Sequence, residues 1–475
     1  MTDADLFDLA QERVRSLRRL QGLGLLPLDG EFFPSVHYPP ITMYPPMGPA
    51  DLLRGYQNPY HDKFSIYLHI PFCENRCEFC HYPVAVHASE LRKEQYLDML
   101  ARELDNWLAA LGLTRFRARS VLIAGGTPTA LSPRQFARLH RDFTARVDLS
   151  PCTQLAYDVH PRDLLGPDGL ERLRVMRDHG STRLTIGAQS FDDAVLARMG
   201  RGHTTADTLA ALENCHAVGY DDVCIEFIFG YPGQTFESWM RTLRQAIASG
   251  AEEIQLYRLK VVPYGDHDGD ILGQRRRRET EFIPVDQQIA MKEASIQELR
   301  EAGFHETLTR VFAKDPHHFS HYASDQCCKL HDQLGFGLST FSSLRDRFCI
   351  TPDRFPDYFR MVEAGQVPVN RGLVRSADEN QRWHVVLPLK NWKIHHKYYR
   401  LRTGVDLLER FPARIRLLQE HGLLEVTDQI VRLSPLGRFF ADEVCALFYS
   451  EEYLPFPAAR YAEGPLNPYA VTRLA

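Results

Sequence analysis

The chain has 475 residues and a net charge of −5, and 44% of its residues are hydrophobic and 25% charged. This composition is typical of a soluble globular protein, with length for roughly three domains. It excludes a strongly basic nucleic-acid binder, and no apolar run is long enough to cross a bilayer. The acidic N-terminus lacks a signal-peptide pattern. We therefore expect a cytoplasmic monomer with no nucleic-acid or membrane partner, whose cysteines are thiols rather than disulfides.

Residues 1–60 predict an N-terminal helix and a Pro-rich arm. An amphipathic helix ends near Gly22 to Gly24, and the segment FFPSVHYPPITMYPPMGP follows it. Proline at this density disfavours both helix and sheet. We interpret the segment as a packed surface arm, and a lid over a site is the alternative.

Residues 61–265 predict a core of alternating strands and helices. Helical patterns separate six apolar runs that have the length of buried parallel strands: FSIYLHI, RSVLIAG, QLAYDVH, STRLTIGAQ, DVCIEFIFG and EIQLYRLKVV. Repeated strand–helix units predict an α/β fold, here a partial (β/α)6 TIM-like barrel. Active residues of such barrels gather at the carboxyl ends of the strands.

The C-terminal half is less regular. Residues 266–375 predict a linker and a region that completes the barrel, in which the acidic run from Asp266 to Asp270 is interpreted as a solvated loop. The basic run Arg275 to Arg278 is expected on an exposed face. Residues 376–455 have the helix and hairpin pattern of a winged-helix-like domain with a packing or lid role, and residues 456–475 form a tail.

Cys73, Cys77 and Cys80 lie in the segment IYLHIPFCENRCEFC, directly after the first predicted strand. A cluster of four irons takes four ligands, so three cysteines leave one iron open. An open coordination position is typical of a reactive metal centre. The loop therefore predicts a catalytic iron–sulfur site. A structural zinc on these cysteines and His81 or His69 is the alternative.

The second predicted strand ends in Gly125, Gly126 and Thr127, within the segment AGGTPT. Paired glycines let a backbone approach a ligand closely. Beside a cluster loop at the mouth of a barrel, this turn predicts a cofactor cradle. A simple turn is the alternative.

Polar side chains stand at the ends of later strands. Asp158 lies in YDVHPR, Gln189 in TIGAQS and Glu226 in CIEFIFGYPGQT. A carboxylate in a buried strand is costly unless it has a partner, so three polar residues at one mouth indicate function. Arg201, in MGRGHT, is a candidate clamp for a carboxylate. Taken singly, each of these residues could instead be a structural core group whose polar atoms are hydrogen-bonded within the fold.

These segments resemble the radical S-adenosylmethionine (SAM) superfamily, and within it the oxygen-independent coproporphyrinogen III oxidase-like branch. The resemblance extends from Phe64 to Ser343 and includes the C-terminal module. It is carried by the motifs YLHIPFCENRCEFC, AGGTPT, DVHPR, RLTIGAQSF, GRGH, IEFIFGYPGQT and GFGLS.

The resemblance implies a [4Fe–4S] cluster on Cys73, Cys77 and Cys80, with SAM on the open iron. It implies reductive cleavage of SAM to a 5′-deoxyadenosyl radical, an electron donor such as flavodoxin or ferredoxin, and a small-molecule substrate. Members of this branch can hold two SAM molecules. The positions that match SAM contacts of the branch are Tyr67, Phe79, Gly125, Gly126, Thr127, Asp158, Gln189, Arg201 and Glu226.

The chain departs from the branch at several positions. Asp158 stands where the branch usually has Glu, and Glu226 where it usually has Asp, so we expect a reshaped site. Authentic coproporphyrinogen oxidases carry a further Cys two residues after the third cluster cysteine, where this chain has Tyr82. The adjacent Cys327 and Cys328 have no counterpart, and we expect a buried pair, with an auxiliary catalytic thiol as the alternative.

Three functions follow from the resemblance. The absent cysteine favours transfer of a methyl or methylene group from SAM to an sp² carbon, including cyclopropane formation. The second function is oxidative decarboxylation of coproporphyrinogen III. The third is not enzymatic: a haem chaperone would bind haem through a residue such as His395 or His396.

Overall fold

The structure is a computed structural model that describes residues 2–57, 62–262, 270–391 and 393–472. Its strands are β1 Lys63–Ile70, β2 Phe72–Cys73, β3 Ala85–Val86, β4 Phe116–Gly125, β5 Val147–Asp148, β6 Leu155–Val159, β7 Arg183–Gln189, β8 Val223–Phe229, β9 Glu253–Arg258, β10 His305–Leu308, β11 Val311–Ala313, β12 Gln333–Phe336, β13 Phe341–Leu344, β14 Arg347–Ile350, β15 Arg371–Val374, β16 Lys393–His395, β17 Leu424–Val426 and β18 Ile430–Leu433.

Its helices are α1 Asp3–Gly22, α2 Pro49–Leu53, α3 Glu90–Leu111, α4 Pro133–Thr144, α5 Gly166–Asp178, α6 Asp193–Arg198, α7 Thr205–Ala217, α8 Phe236–Ala248, α9 Asp270–Arg277, α10 Val285–Glu301, α11 His321–Ala323, α12 Phe355–Glu363, α13 Ala377–Lys390, α14 His396–Thr403, α15 Leu407–Arg410, α16 Pro412–Glu420, α17 Pro435–Phe439, α18 Ala441–Ala446 and α19 Pro468–Thr472. Across the described ranges, none of these helices combines the length and hydropathy that a bilayer crossing requires.

One large sheet has a parallel centre. Strands β1, β4, β6, β7, β8 and β9 lie side by side in that order, and β12 joins the other side of β1. Antiparallel strands extend both ends, with β11 and β10 beyond β9 and β13 to β15 beyond β12. The predicted partial (β/α)6 barrel is therefore confirmed. Its strands share one carboxyl edge, which is the edge that carries function in such barrels.

Buried apolar side chains on the strands and capped helices between them build this barrel. Ile123 on β4 and Ile225 on β8 are fully buried, as expected of parallel strands covered by helices. Helix α3 begins where the Ser89 hydroxyl accepts a hydrogen bond from the backbone N–H of Arg92. Helix α8 begins with the corresponding hydroxyl of Thr235. Such caps satisfy backbone donors that the first helical turn leaves open, so they fix where each helix starts.

A second apolar core joins the N-terminal arm to the C-terminal region. Tyr38 and Tyr44 of the arm are buried there together with Trp383 and Tyr399. The Pro-rich segment is thus a packed arm. Strands β16, β18 and β17 form a small antiparallel sheet beside α14 to α17, which is the predicted winged-helix-like arrangement. The division at residues 61, 266, 376 and 456 remains a prediction.

The segment predicted as a linker is partly helical. Helix α9 begins at Asp270 and includes most of the basic run, and it packs on the cysteine loop. Asp266 and Asp268 lie outside the described residues. Arg275 is paired with Glu31, whereas the next three arginines are exposed.

The isolated cysteines are free thiols, but not all of them are buried. Cys327 and Cys328 are half-buried because they lie in a π-helical turn, Ser324–Cys328, at the margin between the barrel and α13. Cys152 is half-buried in the loop before β6, where its Sγ donates to Gln154 O at 3.2 Å. An isolated thiol in a chain without disulfides is expected to be buried as a small apolar group, and Cys215, Cys224, Cys349 and Cys445 are buried in this way.

Candidate active site

The cysteine loop follows β1 at the carboxyl edge of the sheet, as predicted. Cys73 ends the short strand β2, and Cys80 N–H closes a turn on Cys77 O at 3.1 Å. The loop is tied to the segment after α6 by a hydrogen bond from Glu78 N–H to Met199 O at 3.0 Å. The three thiols are half-buried and free. The sequence therefore folds them into one loop that faces the ends of the neighbouring strands.

Hydrogen-bond donors from the segment after α6 and from the turn after β4 reach this loop. Arg201 donates from Nη1 to Cys77 Sγ at 3.2 Å and from Nη2 to Gly187 O at 2.6 Å. The Thr127 hydroxyl lies 3.5 Å from Cys73 Sγ. Arg201 Nε is buried and, among the described residues, has no acceptor. A cation and a hydroxyl thus stand where negative charge on sulfur would be stabilised.

The chemistry of this loop fits an iron–sulfur cluster. Burial raises the pKa of the Cys73 thiol to about 11, and it also raises the pKa of Cys80. Thiols in such surroundings become thiolates when a metal centre supplies positive charge. In the described ranges, no three His, Cys, Asp or Glu side chains converge on a single metal ion. This holds for the cysteine loop as well, so the assignment of a cluster to the three predicted cysteines rests on their shared loop and on the donors that reach it.

The turn at Gly125 and Gly126 presses against the chain that leads into the cysteine loop. Gly125 has φ of +119°, and a Cβ there would lie 2.6 Å from the His69 ring. A Cβ on Gly126 would lie 2.9 Å from Phe72 O, and Gly126 N–H donates to Ile70 O at 2.9 Å. The glycines thus permit a close approach between this turn and the base of the loop. Their contact with a cofactor remains a prediction.

Asp158 on β6 and Glu226 on β8 form a half-buried pair of carboxyl groups inside the barrel. Burial raises the pKa of Asp158 to about 6 and that of Glu226 to about 8, and the charge of Asp158 adds to the second shift. The Tyr257 hydroxyl donates to Glu226 Oε1 at 3.4 Å. The positive charge of Arg183 opposes both shifts, but its guanidinium is bound to Glu253 at 2.7 Å. Both carboxyl groups, each half-buried, are therefore easier to protonate than a carboxyl group in water.

Gln189 ends β7 in a backbone conformation that non-glycine residues rarely adopt. Its φ is +69°, and the pairing of β7 with β8 shifts register between Ile186 and Gln189. Its side chain is buried. A strained residue at the end of a barrel strand is typical of a functional site.

Tyr67 and Phe79 occupy different surroundings. Tyr67 points into the barrel, where burial and the charge of Asp158 hold its pKa well above the usual value. Its hydroxyl lies 3.4 Å from His69 Nδ1. Phe79 is half-buried against a small apolar cluster that includes Tyr231 and Ile271. The barrel interior thus brings Tyr67 toward the carboxyl pair, whereas Phe79 anchors the cysteine loop.

Sequence reasoning missed several groups at this edge. Tyr257 stands two residues after Gln255 on β9, and Gln255 is the residue that pairs with Glu226. Because side chains alternate between the two faces of a strand, this spacing could have predicted that Tyr257 lies on the same face as Gln255. His160 and His203 approach at 3.4 Å, and His203 Nε2 lies 3.0 Å from Ala188 O. The two histidines lie in the motifs DVHPR and GRGH, but no spacing in the sequence indicates that they meet.

Comparisons with known proteins agree with this geometry. The family model of the radical SAM superfamily matches residues 67–246, and that of the HemN C-terminal domain matches residues 389–440. The chain is 26% identical over 395 residues to the haem chaperone HemW of Bacillus subtilis, covering 82% of this chain and 99% of that protein. It is 26% identical over 453 residues to the oxygen-independent coproporphyrinogen III oxidase of Pseudomonas aeruginosa, covering 88% and 94%.

A solved structure shares the fold. The coproporphyrinogen III oxidase HemN of Escherichia coli superposes with a TM-score of 0.74, at 22% identity, covering 86% of this chain and 96% of that one. Residues 67–246 are thus a radical SAM domain, a type of domain that uses a [4Fe–4S] cluster and SAM. More narrowly, the chain carries a HemN C-terminal domain, and its homologues are proteins of the HemN and HemW type.

Proposed function

We propose that the chain is a radical SAM enzyme that oxidises a propionate side chain of a porphyrinogen. The observation that carries the proposal is that the loop of Cys73, Cys77 and Cys80 follows β1 in the same barrel whose strands β6 and β8 carry the half-buried carboxyl groups of Asp158 and Glu226. Further support is the named activity of the Pseudomonas aeruginosa relative, which aligns along 94% of its length.

In this proposal the three cysteines hold the cluster, and the strand-end residues hold SAM. When bound there, the cluster and SAM supply a one-electron cleavage that yields a hydrogen-abstracting radical. Arg201 offsets negative charge on Cys77 through the contact at 3.2 Å. The residues proposed to contact SAM are Tyr67, Phe79, Gly125, Gly126, Thr127, Asp158, Gln189, Arg201 and Glu226.

The raised pKa values give the carboxyl pair a definite role in this proposal. A carboxyl group that stays protonated near neutral pH can donate one hydrogen bond and accept another. Glu226, whose pKa is raised to about 8 by burial, would therefore present a donor to a hydroxyl or carboxylate of its ligand. Tyr257 orients it through the hydrogen bond to Oε1.

The overall reaction balances with SAM, a one-electron donor and a one-electron acceptor: the donor's electron would be consumed in splitting SAM into methionine and the deoxyadenosyl radical. Removal of a hydrogen atom from the propionate carbon next to the ring leaves a carbon radical. Loss of CO₂ then forms a vinyl group and releases one electron, which a one-electron acceptor must take. Deoxyadenosine carries away the hydrogen atom.

A haem chaperone is the second candidate, because the HemW protein of Bacillus subtilis aligns along 99% of its length. Of the two histidines considered for haem, His395 is exposed, while His396 Nε2 lies 3.0 Å from Thr427 O. Methyl or methylene transfer was the first expectation from the sequence. It is not proposed, because the relatives reported above carry oxidase and chaperone names rather than a methyltransferase name.

Product analysis tests the proposal. The reconstituted protein is incubated anaerobically with SAM, a low-potential reductant, a one-electron acceptor and coproporphyrinogen III. We expect deoxyadenosine, CO₂ and a vinyl porphyrin product, and none of them from Cys77→Ala. Cys152→Ala, which changes a cysteine outside the loop, is the matched control. S-adenosylhomocysteine as the product would contradict the proposal, and so would tight haem binding without SAM cleavage.

A further inference from the structure

Arg310 stands in the turn between β10 and β11, at the edge of the sheet next to β9. Its backbone O accepts a hydrogen bond from Leu256 N–H at 3.0 Å, and its φ is +74°. The preceding Thr309 donates from its hydroxyl to Lys390 O at 2.5 Å, which ties the turn to the C-terminal region. The surrounding structure thus holds Arg310 in a conformation that is costly for a residue with a Cβ.

The Arg310 guanidinium lies between two aromatic rings. Its central carbon is 5.9 Å from the centre of the Phe32 ring and 5.6 Å from that of Tyr257. The side chain is half-buried. Within the described ranges, it has neither a hydrogen-bond acceptor nor a carboxylate within 4 Å. Desolvating an unpaired cation is costly, and an arriving anion would remove that cost.

The carboxylates near Arg310 already have partners. Asp442 Oδ1 lies 2.7 Å from Lys390 Nζ and also accepts the Ser35 N–H at 2.8 Å. Glu306 Oε1 accepts the backbone N–H of Arg310 at 3.1 Å, not its guanidinium. Asp442 attracts the charge of Arg310 from a distance, but no carboxylate of the described residues forms an ion pair with its guanidinium, so that group can still meet a ligand.

A second arginine, Arg258, packs over the ring of the same arm residue, Phe32. The guanidinium of Arg258 is 5.4 Å from the Phe32 ring centre. It donates to two neutral oxygens, Gln288 Oε1 and Gly30 O, both at 2.6 Å. Glu443 and Glu31 act on the charge of Arg258, but the hydrogen bonds that its guanidinium makes among the described residues go to neutral oxygens. The two guanidinium groups make this margin of the barrel attractive to an anion.

Tyr257 connects this margin to the candidate active site. Its ring contacts Arg310, and its hydroxyl donates to Glu226 Oε1 at 3.4 Å. Arg310 is therefore separated from the half-buried carboxyl pair by one aromatic ring. An anionic group bound at Arg310 would place the rest of its molecule beside the barrel interior.

We propose that Arg310, assisted by the charge of Arg258, binds a carboxylate of the substrate. The inference rests on the proposed function, because the porphyrinogen substrate carries propionates on a flat apolar ring. A guanidinium presents two parallel N–H donors that match the two oxygens of a carboxylate. Phe32 and Tyr257 offer aromatic surface beside the charge. Arg310 thus acts as an anchor that selects a carboxylated substrate.

Binding of coproporphyrin III, a stable tetracarboxylate, tests this anchor. The probe is titrated by fluorescence into the cluster-loaded wild type, Arg310→Gln and Arg310→Lys, together with the tetramethyl ester of the same porphyrin. We expect Arg310→Gln to weaken binding of the acid roughly tenfold or more and to leave the ester unchanged, with Arg310→Lys in between. The matched control is Arg177→Gln, since Arg177 is also half-buried over a ring, that of Tyr220, on helix α5.

Each other outcome overturns the anchor in a recognisable way. Unchanged binding of the acid, or equal loss for acid and ester, would refute a carboxylate contact. Weaker SAM binding with unchanged porphyrin binding would assign Arg310 to the carboxylate of SAM instead. If the wild type bound neither porphyrin, the porphyrinogen assignment in the proposed function would fail together with the anchor. Porphyrin binding by the wild type that Arg310→Gln does not alter would overturn the anchor alone.

Discussion

Arg201 Nη1 donates a hydrogen bond to Cys77 Sγ across 3.2 Å and so connects the segment between α6 and α7 to the candidate cluster loop. The same guanidinium holds Gly187 O at 2.6 Å. Hydrogen bonds and positive charge at a cysteine sulfur make a cluster easier to reduce. Arg201 is thus placed to tune the step that starts the proposed chemistry.

Replacing this arginine should lower the reduction potential of the cluster. Arg201→Met removes both the charge and the hydrogen bond, so we expect a more negative potential and SAM cleavage roughly ten- to a hundredfold slower. Potentiometry followed by electron paramagnetic resonance measures the first effect. Arg198→Met is the control, because Arg198 is exposed and faces Glu281. Equal potentials in the wild type and Arg201→Met would contradict this role.

Glu103 gives a prediction on pH and stability away from the cysteine loop. Burial raises its pKa from 4.5 to about 8, while its Oε2 accepts Gly337 N–H at 2.7 Å and the Tyr358 hydroxyl at 2.6 Å. Between these pH values the folded chain keeps a proton that the unfolded chain has lost. This contribution to stability is complete below pH 4.5 and is lost as the pH rises through 8.

Glu103→Gln, which resembles the neutral acid, should therefore match the wild type at pH 4.5 or fall slightly below it. At pH 9 it should exceed the wild type by roughly 4–5 kcal/mol. Urea unfolding of the cluster-loaded proteins at both pH values measures this difference. Glu213→Gln changes an exposed glutamate on α7 and should leave both values unaltered. If the free energy of unfolding changed with pH in the same way in Glu103→Gln and in the wild type, Glu103 would not be protonated in the folded chain.

Gly126 provides a test of the turn beneath the cysteine loop. From the sequence, Gly126→Val should hinder SAM entry and spare the cluster. The structure leads to a different expectation, because a Cβ there would lie 2.9 Å from Phe72 O, beside Cys73. We now expect Gly126→Val to lower iron and sulfide content as well. Gly48→Ala, where the new Cβ meets open space, is the control. If Gly126→Val kept its full iron and sulfide content but no longer bound SAM, the substitution would act on SAM entry alone, as the sequence predicts.

The barrel could be predicted because its signals are local. Each long parallel strand is a continuous apolar run, and the strand rule places Cys73 at the carboxyl edge without knowledge of contacts, whereas Glu226 lies in the middle of β8. The spacing of the three cysteines is likewise visible in the sequence. These features need no information about which distant segments meet.

Other features could not be predicted, because distant partners create them. Strand β16, Lys393–His395, is too short to show periodicity and exists through its pairing with β18. The position of Arg310 depends on a tight turn that packs against both the arm and the C-terminal region. The left-handed backbone of Gln189 follows from a register shift against β8. The substrate side of the site therefore emerged only from the structure.

The most direct test of the account is the iron and sulfide content of anaerobically reconstituted protein, measured with deoxyadenosine formation from SAM. We predict about four irons per chain and reductive SAM cleavage for the wild type and for Cys152→Ala. Both should be lost in Cys77→Ala. A Cys77→Ala protein that retained its cluster and still cleaved SAM would contradict the assignment of the cysteine loop as the reactive centre.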